Sequence, residues 1–269
     1  MMRPRPDRHW GQHFLNDQTV IESIIAFADI TLNEVVLEIG PGPGVLTDAL
    51  LAAGAQVIAI ERDPRFEVPL HQSFDATDRF TLVRGDAIRV DWVDSGLIDK
   101  QFRVIANIPY SITTPLLEKF LTSPAPTQAI LMIQDDVARR LLAGPASSDR
   151  GALSVIMQES FSIKIIRTVP SSAFTPPPKV QSAVVMFLPK YRVPVEFGQF
   201  LKNCFRHRRK FLLSNLKIAY QAADWPSIFT KEHIQSTVRP QDLSNEQWRS
   251  LFFCLESTRR TNSVRARTV

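Results

Sequence analysis

The stretch "EIGPGPGVLT", residues 38 to 47, sets Gly40, Gly42 and Gly44 directly behind the apolar run "VVLEI" (35 to 39), which carries the carboxylate Glu38. Glycines at such a junction let the chain turn sharply and let a ligand approach the next helix without a Cβ in the way. A dinucleotide fingerprint would place its third glycine at position 45, where this chain has Val45, so nicotinamide and flavin cofactors fit poorly. Glu61 ends the next apolar run, about twenty residues after the loop opens, where a carboxylate can accept bonds from ribose hydroxyls. Asp86, in "RGDA", can receive a donor from an adenine ring. Taken singly, each acid is more often just a solvated strand-end residue. Together, without a pyrophosphate fingerprint, they describe a nucleoside site for a cofactor with a cationic centre and no phosphates, and S-adenosylmethionine fits. "NIPY" (107 to 110) then ends the run "FRVIA" with an amide, a proline and a ring. Ordinary strand termination accounts for those four letters equally well, since Asn caps turns and Pro cannot donate to a ladder.

These groups need a scaffold that gathers strand ends. From about residue 34, β-branched runs at 35 to 39, 56 to 60, 80 to 83, 102 to 106 and 129 to 133 alternate with segments of helical spacing. The helical segments include "VLTDALLAAG", with Gly54 as its C-cap, then "TTPLLEKFL" and "DDVARRLLA". The alternation predicts an α/β fold, a parallel sheet with helices on both faces. After Gly151 two extended runs, 153 to 169 and 182 to 189, read as an antiparallel hairpin joined by the Pro-rich "PSSAFTPPPKVQ". Beyond Pro194, "FGQFLKNCFRHRRKFLLSNLKIAYQAA" has helical spacing with an Arg/Lys cluster in its middle. "SNEQWRSLFFCLE" reads as a capped final helix, followed by a disordered basic tail over the last dozen residues. The domain boundary falls near residue 192.

A chain of 269 residues with 44% apolar content can bury a sizeable core. Residues 193 to 269 hold 13 Lys and Arg against 6 Asp and Glu, whereas the first 192 residues hold 19 against 21. The excess positive charge is all C-terminal, which favours a phosphate-rich partner, although a charge run more commonly marks a solvated face. Cys204 and Cys254 stand alone among apolar neighbours and read as reduced core thiols. The start lacks the apolar segment of a secretory leader, and no apolar stretch is long enough to span a bilayer, so a soluble cytoplasmic protein is expected.

The ordered set "GQHFL" (11 to 15), "LEIGPGPGVLT" (37 to 47), "IERD" (60 to 63), "GDA" (85 to 87), "NIPYSITTPLL" (107 to 117), "FTPPPKVQSAV" (174 to 184) and "FRHRRKFLLSNL" (205 to 216) covers nearly the whole chain. It resembles the adenine-N6 dimethyltransferases of ribosomal RNA, in particular the bacterial small-subunit (16S) group. The resemblance implies a Rossmann-like class I methyltransferase fold over residues 1–192 with the antiparallel hairpin in its sheet. It also implies a small all-α, basic rRNA-binding domain over 193–269. It places His13 and Leu15 in a segment closing over the cofactor, and Gly40, with Gly42, at the methionine end. Glu61, flanked by Arg62, would bind the ribose, Asp86 and Ala87 the cofactor adenine, and Asn107 would border cofactor and target. Three departures stand out: the family usually has Asn at His13, "NLPY" for "NIPY", and Tyr-Gly-Arg-Leu-Ser where this chain reads "SSDRGALSV".

Methyl transfer to an exocyclic adenine nitrogen is hampered because that nitrogen's lone pair is delocalised into the ring. The Asn107 side-chain oxygen and the Ile108 carbonyl could each accept one amino hydrogen, with Pro109 fixing the turn. Tyr110 would stack on the base, and Phe174, delivered by the Pro-rich loop, would be the second ring. The base must be unpaired or flipped out. Arg206, Arg208, Arg209 and Lys210 would hold RNA phosphates, with Arg5, Arg8 and Lys179 on the rim. The histidines share no metal-ligand spacing, so no metal is expected, and neither is a membrane partner. The expected partner is 16S rRNA in the small subunit or its precursor, met by a monomer that dimethylates two adjacent adenines of the 3′-terminal hairpin. The rival readings are a large-subunit (23S) rRNA adenine methyltransferase of macrolide resistance, which shares Asn-Ile-Pro-Tyr, and a non-catalytic RNA-binding factor of the same fold. A DNA adenine methyltransferase fits less well, given the basic helical segment and the "FTPPPK" loop.

Overall fold

Continuous apolar runs such as "VVLEI" suit strands covered on both faces, and short helical crossovers between them force neighbouring strands to run parallel. The computed structural model, which describes residues 4–7, 11–97, 101–122, 124–221 and 223–265, has this plan. Arg8 and the last four residues of the basic tail lie outside the described residues. In chain order the elements begin with β1 (Phe14–Leu15), α1 (Gln18–Ala28), β2 (Val35–Ile39), α2 (Val45–Ala52), β3 (Gln56–Glu61), α3 (Glu67–Phe74) and β4 (Phe80–Arg84). Next come β5 (Phe102–Asn107), α4 (Thr113–Thr122), β6 (Gln128–Gln134), α5 (Asp135–Leu142), α6 (Ala152–Ser160), β7 (Phe161–Val169), β8 (Phe174–Thr175) and β9 (Ser182–Pro189). The helices α7 (Val195–Cys204), α8 (Leu212–Ala219), α9 (Trp225–Lys231) and α10 (Asn245–Arg265) complete the order.

The main sheet runs β4-β3-β2-β5-β6-β9-β7, parallel from β4 to β6, with β9 antiparallel to β6. Leu37 of β2 faces Ile58 of β3 and Val104 of β5, all buried. Each such side chain contributes about 1.5–3 kcal/mol on burial. In a second small sheet β1 pairs antiparallel with β8, placing Leu15 opposite Phe174.

Two compact units divide the chain: Met1–Ala138 with Ser162–Pro189, and Arg139–Phe161 with Lys190–Val269. The chain passes between the units three times, after Ala138, after Phe161 and after Pro189. Residues 139–161 pack with the C-terminal helices, around an aromatic core in which Trp248 meets Phe200 and Phe205.

Three local expectations are corrected. The run 153 to 169 is not one strand, because Ala152–Ser160 is helical and only Phe161–Val169 is extended. Val155, Ile156 and Met157 are all buried in α6, so the polar face that marks a helix is missing, and tertiary packing overrides their β-branched preference. The segment 197 to 223 is not one helix. Buried Asn215 donates to the Cys204 carbonyl at 2.9 Å and the His207 carbonyl at 3.2 Å, holding 205–211 as a turn between α7 and α8. The tail is helical as far as Arg265, in keeping with the lack of any Gly or Pro after residue 245. At the front of α10, Gln247 N–H donates to the Ser244 hydroxyl while the Gln247 side chain accepts from Ser244 N–H, the capping box expected there.

Candidate active site

The carboxyl ends of β2, β3, β4 and β5 open onto one cavity of about 290 Å³. Its position follows from topology: β2 has β3 on one side and β5 on the other, and such reversals of strand order leave a crevice beyond the strand ends. Gly40 and Gly42 line it with φ of +69° and +53°. A Cβ on Gly40 would stand 3.8 Å from Pro109, and one on Gly42 would stand 3.2 Å from the Phe14 ring. The glycine loop therefore brings the Asn107–Tyr110 turn and the N-terminal segment close to β2.

Glu61 is 8% exposed, and its two oxygens accept from Gly42 N–H at 3.0 Å and Asp63 N–H at 2.7 Å. Burial pushes its pKa up, and those backbone donors oppose the shift. Glu38 also lines the cavity and accepts from the Thr47 hydroxyl at 2.7 Å. Burial raises its pKa from an ordinary 4.5 to about 8, against the Thr47 bond and with help from the Glu61 charge. Glu38 therefore holds its proton more tightly than an ordinary carboxyl. One Asp86 oxygen accepts from Ile88 N–H at 3.0 Å, and the other lies 3.6 Å from the Arg62 guanidinium. The Ala87 carbonyl accepts from the Trp92 indole at 3.0 Å.

Asn107, at the end of β5, donates its side-chain amide to the His13 carbonyl at 3.1 Å. A carbonyl can only accept, so the nitrogen must lie on that side. The Asn107 side-chain oxygen and the Ile108 carbonyl have no hydrogen-bond partner among the described residues. Tyr110 shares a hydrogen bond with the Ser182 hydroxyl at 2.6 Å. The His13 ring stacks on Tyr110 with centroids 5.8 Å apart and planes 25° apart, while its Nδ1 donates to the Pro176 carbonyl at 2.7 Å.

Thus His13, Leu15, Gly40, Gly42, Glu61, Arg62, Asp86, Ala87, Asn107, Ile108, Pro109 and Tyr110 all line one cavity. Phe174 does not. Its pairing with Leu15 turns the ring into the core, where it is 2% exposed, so the second aromatic beside Tyr110 is His13. Arg206, Arg208, Arg209 and Lys210 are exposed on the turn 205–211 of the other unit, and Lys179 is exposed on the loop before β9. Arg208 donates to the Arg150 carbonyl at 2.8 Å and also to the Ser148 carbonyl.

Sequence reasoning left three contributors without roles. Gln12 donates to Asp63 at 2.7 Å, tying "GQHFL" to the end of β3. Although burial pushes the other way, the Arg65 guanidinium and Gln12 amide hold the Asp63 carboxyl below the usual range. Lys119 of α4 donates to the Ile88 and Val90 carbonyls at 3.1 and 2.6 Å, bracing the loop that carries Asp86. Asp63 sits in "IERDP", where an acid before proline marks a helix start and could have drawn notice. Lys119 carries no local signal. Among the described residues no group of three or more His, Cys, Asp or Glu is arranged to hold a metal.

The family described as "Ribosomal RNA adenine dimethylase" matches residues 5–257. The chain is 38% identical to "Ribosomal RNA small subunit methyltransferase A" of Rippkaea orientalis over 91% of this chain and 96% of the relative. The same-named protein of a Synechocystis species is 39% identical over 92% and 95%. Among solved structures, a dimethyladenosine transferase from Plasmodium falciparum superposes with a TM-score of 0.77 at 25% identity, covering 91% of this chain and 98% of that one. The 23S rRNA methyltransferase ErmE gives a TM-score of 0.68 at 24% identity over 90% and 99%, a likeness of fold. With a family match that reaches from residue 5 to residue 257, the chain belongs to the ribosomal RNA adenine dimethylases.

Proposed function

We propose that this chain is a small-subunit member of the family. It transfers methyl groups from S-adenosylmethionine to the N6 amino groups of two adjacent adenines in the 3′-terminal hairpin of 16S rRNA, during subunit biogenesis. It acts as a monomer in the cytoplasm. The observation that carries the reading is the pair of unused acceptors, the Asn107 side-chain oxygen and the Ile108 carbonyl, at the mouth of a nucleoside-sized cavity.

The cavity residues fit the cofactor. Gly40 and Gly42 expose bare backbone for its amino-acid end, and the Glu61 carboxylate, with the Gly42, Asp63 and Arg62 N–H groups on it, keeps acceptor capacity for a ribose hydroxyl. Asp86 and the Ala87 N–H address the adenine, with Arg62 beside them. His13 and Leu15 close the N-terminal segment over the site. When bound, S-adenosylmethionine supplies a methyl group on a cationic sulfur. Asn107 and Ile108 each accept one hydrogen of the target amino group, drawing its lone pair off the ring and aiming the nitrogen into the cavity. Tyr110 offers the stacking face, held by Ser182. The nitrogen sheds a proton only after it becomes cationic, so positioning rather than a strong base carries the reaction. Arg206, Arg209, Lys210 and Lys179 supply phosphate contacts that position RNA without reading its sequence.

The test is methyl transfer from labelled S-adenosylmethionine to unmethylated small subunits and, separately, to large-subunit rRNA, with the modified adenines mapped. Dimethyladenines in the 3′-terminal hairpin are expected. Label only in large-subunit RNA would transfer the assignment there, and RNA binding without transfer would make the chain a non-catalytic factor.

A further inference from the structure

The turn between α7 and α8 carries a feature that phosphate contacts leave unexplained. Phe205 and Phe211 bracket it, but only Phe205 is buried, against Trp248 at 5.4 Å. Phe211 is 47% exposed and makes no ring contact with any described residue. Between them Arg206, Arg209 and Lys210 are exposed, with no acidic partner among the described residues. The turn is held from several sides: Asn215 binds the Cys204 and His207 carbonyls, Arg208 binds the Arg150 carbonyl, and Leu212 N–H donates to the Val238 carbonyl at 2.8 Å. Phe211 is therefore presented by a braced scaffold. Ser214, Lys217 and Ile218 are exposed three, six and seven residues further on, so they continue the same face of α8 with another cation.

We propose that Phe211 is a stacking platform for an unpaired base of the RNA substrate, separate from the target-adenine cavity, with Arg206, Arg209 and Lys210 holding the phosphates beside it. The proposal rests on the reading of the chain as an rRNA methyltransferase. A ring without a ring partner, set with Ile218 among cations that lack acidic partners, matches a nucleotide, which offers a π-face and a negative phosphate together. A protein partner would call for a wider apolar patch around the ring.

The test is binding of small subunits to the full chain and its Phe211→Ala, Phe211→Leu and Phe211→Trp variants, each over a salt series. Phe211→Ala is expected to weaken binding about 5- to 150-fold with an unchanged salt slope, Phe211→Leu to be nearly as weak, and Phe211→Trp to restore it. Wild-type affinity for Phe211→Ala, or full rescue by leucine, would overturn the proposal. So would a Phe211-dependent association with anionic vesicles that exceeds the effect on RNA. Wild-type methylation mapped in parallel separates the two readings: mapped label with unchanged Phe211→Ala binding sinks only the stacking platform, whereas no label on any small-subunit RNA sinks the activity itself.

Discussion

Asn107 and Glu38 show how single residues at one cavity do opposite electrostatic work. Asn107 spends its amide on the His13 carbonyl and so presents a bare oxygen. Replacing it with alanine removes the acceptor and loosens the N-terminal segment, and we expect single-turnover methylation of small subunits to fall about 10²- to 10³-fold, as for loss of one oriented polar group elsewhere. A decrease under about threefold would contradict the acceptor role. Glu38 holds a proton that an unfolded carboxyl would lose above its ordinary 4.5, up to its folded value of about 8. Across that window the folded chain binds more protons than the unfolded one, so stability declines as pH rises, by at most about 1.4 kcal/mol per pH unit. Glu38→Gln keeps an acceptor for Thr47 and should flatten this decline, seen in chemical unfolding at about pH 5 and about pH 8. An identical pH dependence in the variant would place the proton elsewhere. That Gly40, Glu61 and Asp86 gather at one cavity was legible in the sequence because each sits at a strand end or within two residues of it. The Glu38–Thr47 bond was not, because it joins the end of β2 to the first turn of α2 across the glycine loop.

At the scale of elements, the site is a set of strand-end loops held by neighbours. Lys119 illustrates this, reaching from α4 to two carbonyls of the loop that holds Asp86 and Ala87 and lying 4.9 Å from the Trp92 ring. Lys119→Met keeps the stem but leaves both carbonyls unpaired. We expect KM for S-adenosylmethionine to rise about 5- to 30-fold with kcat much less affected. An equal loss in kcat would mean that the loop acts on the target base as well. Parallel strands were readable from their apolar runs, and α4 and α5 from their spacing. Helix α6 was not, because burial on several sides erased its amphipathic signature. The break between α7 and α8 was equally hidden, since it depends on Asn215 capturing carbonyls eight and eleven residues upstream.

For the whole molecule, the charge asymmetry is the property on which the proposed RNA contact rests. Arg209→Ala combined with Lys210→Ala should lower the slope of log affinity against log salt by about 2 on small subunits. An unchanged slope would move the RNA surface away from the turn. Arg208→Ala should act differently, because its guanidinium is tethered to the Arg150 carbonyl and its loss loosens the turn itself. By itself the sequence determined the parallel part of the sheet, the basic C-terminal region and the cavity-lining residues, because each is written in local runs and short motifs that topology carries to one edge. Only the tertiary structure decided that Phe174 turns inward, that His13 rests on Tyr110, that Gln12 clasps Asp63 and that residues 139–161 join the C-terminal helices. Those outcomes rest on packing between segments distant along the chain, and packing of that kind leaves no periodicity to read.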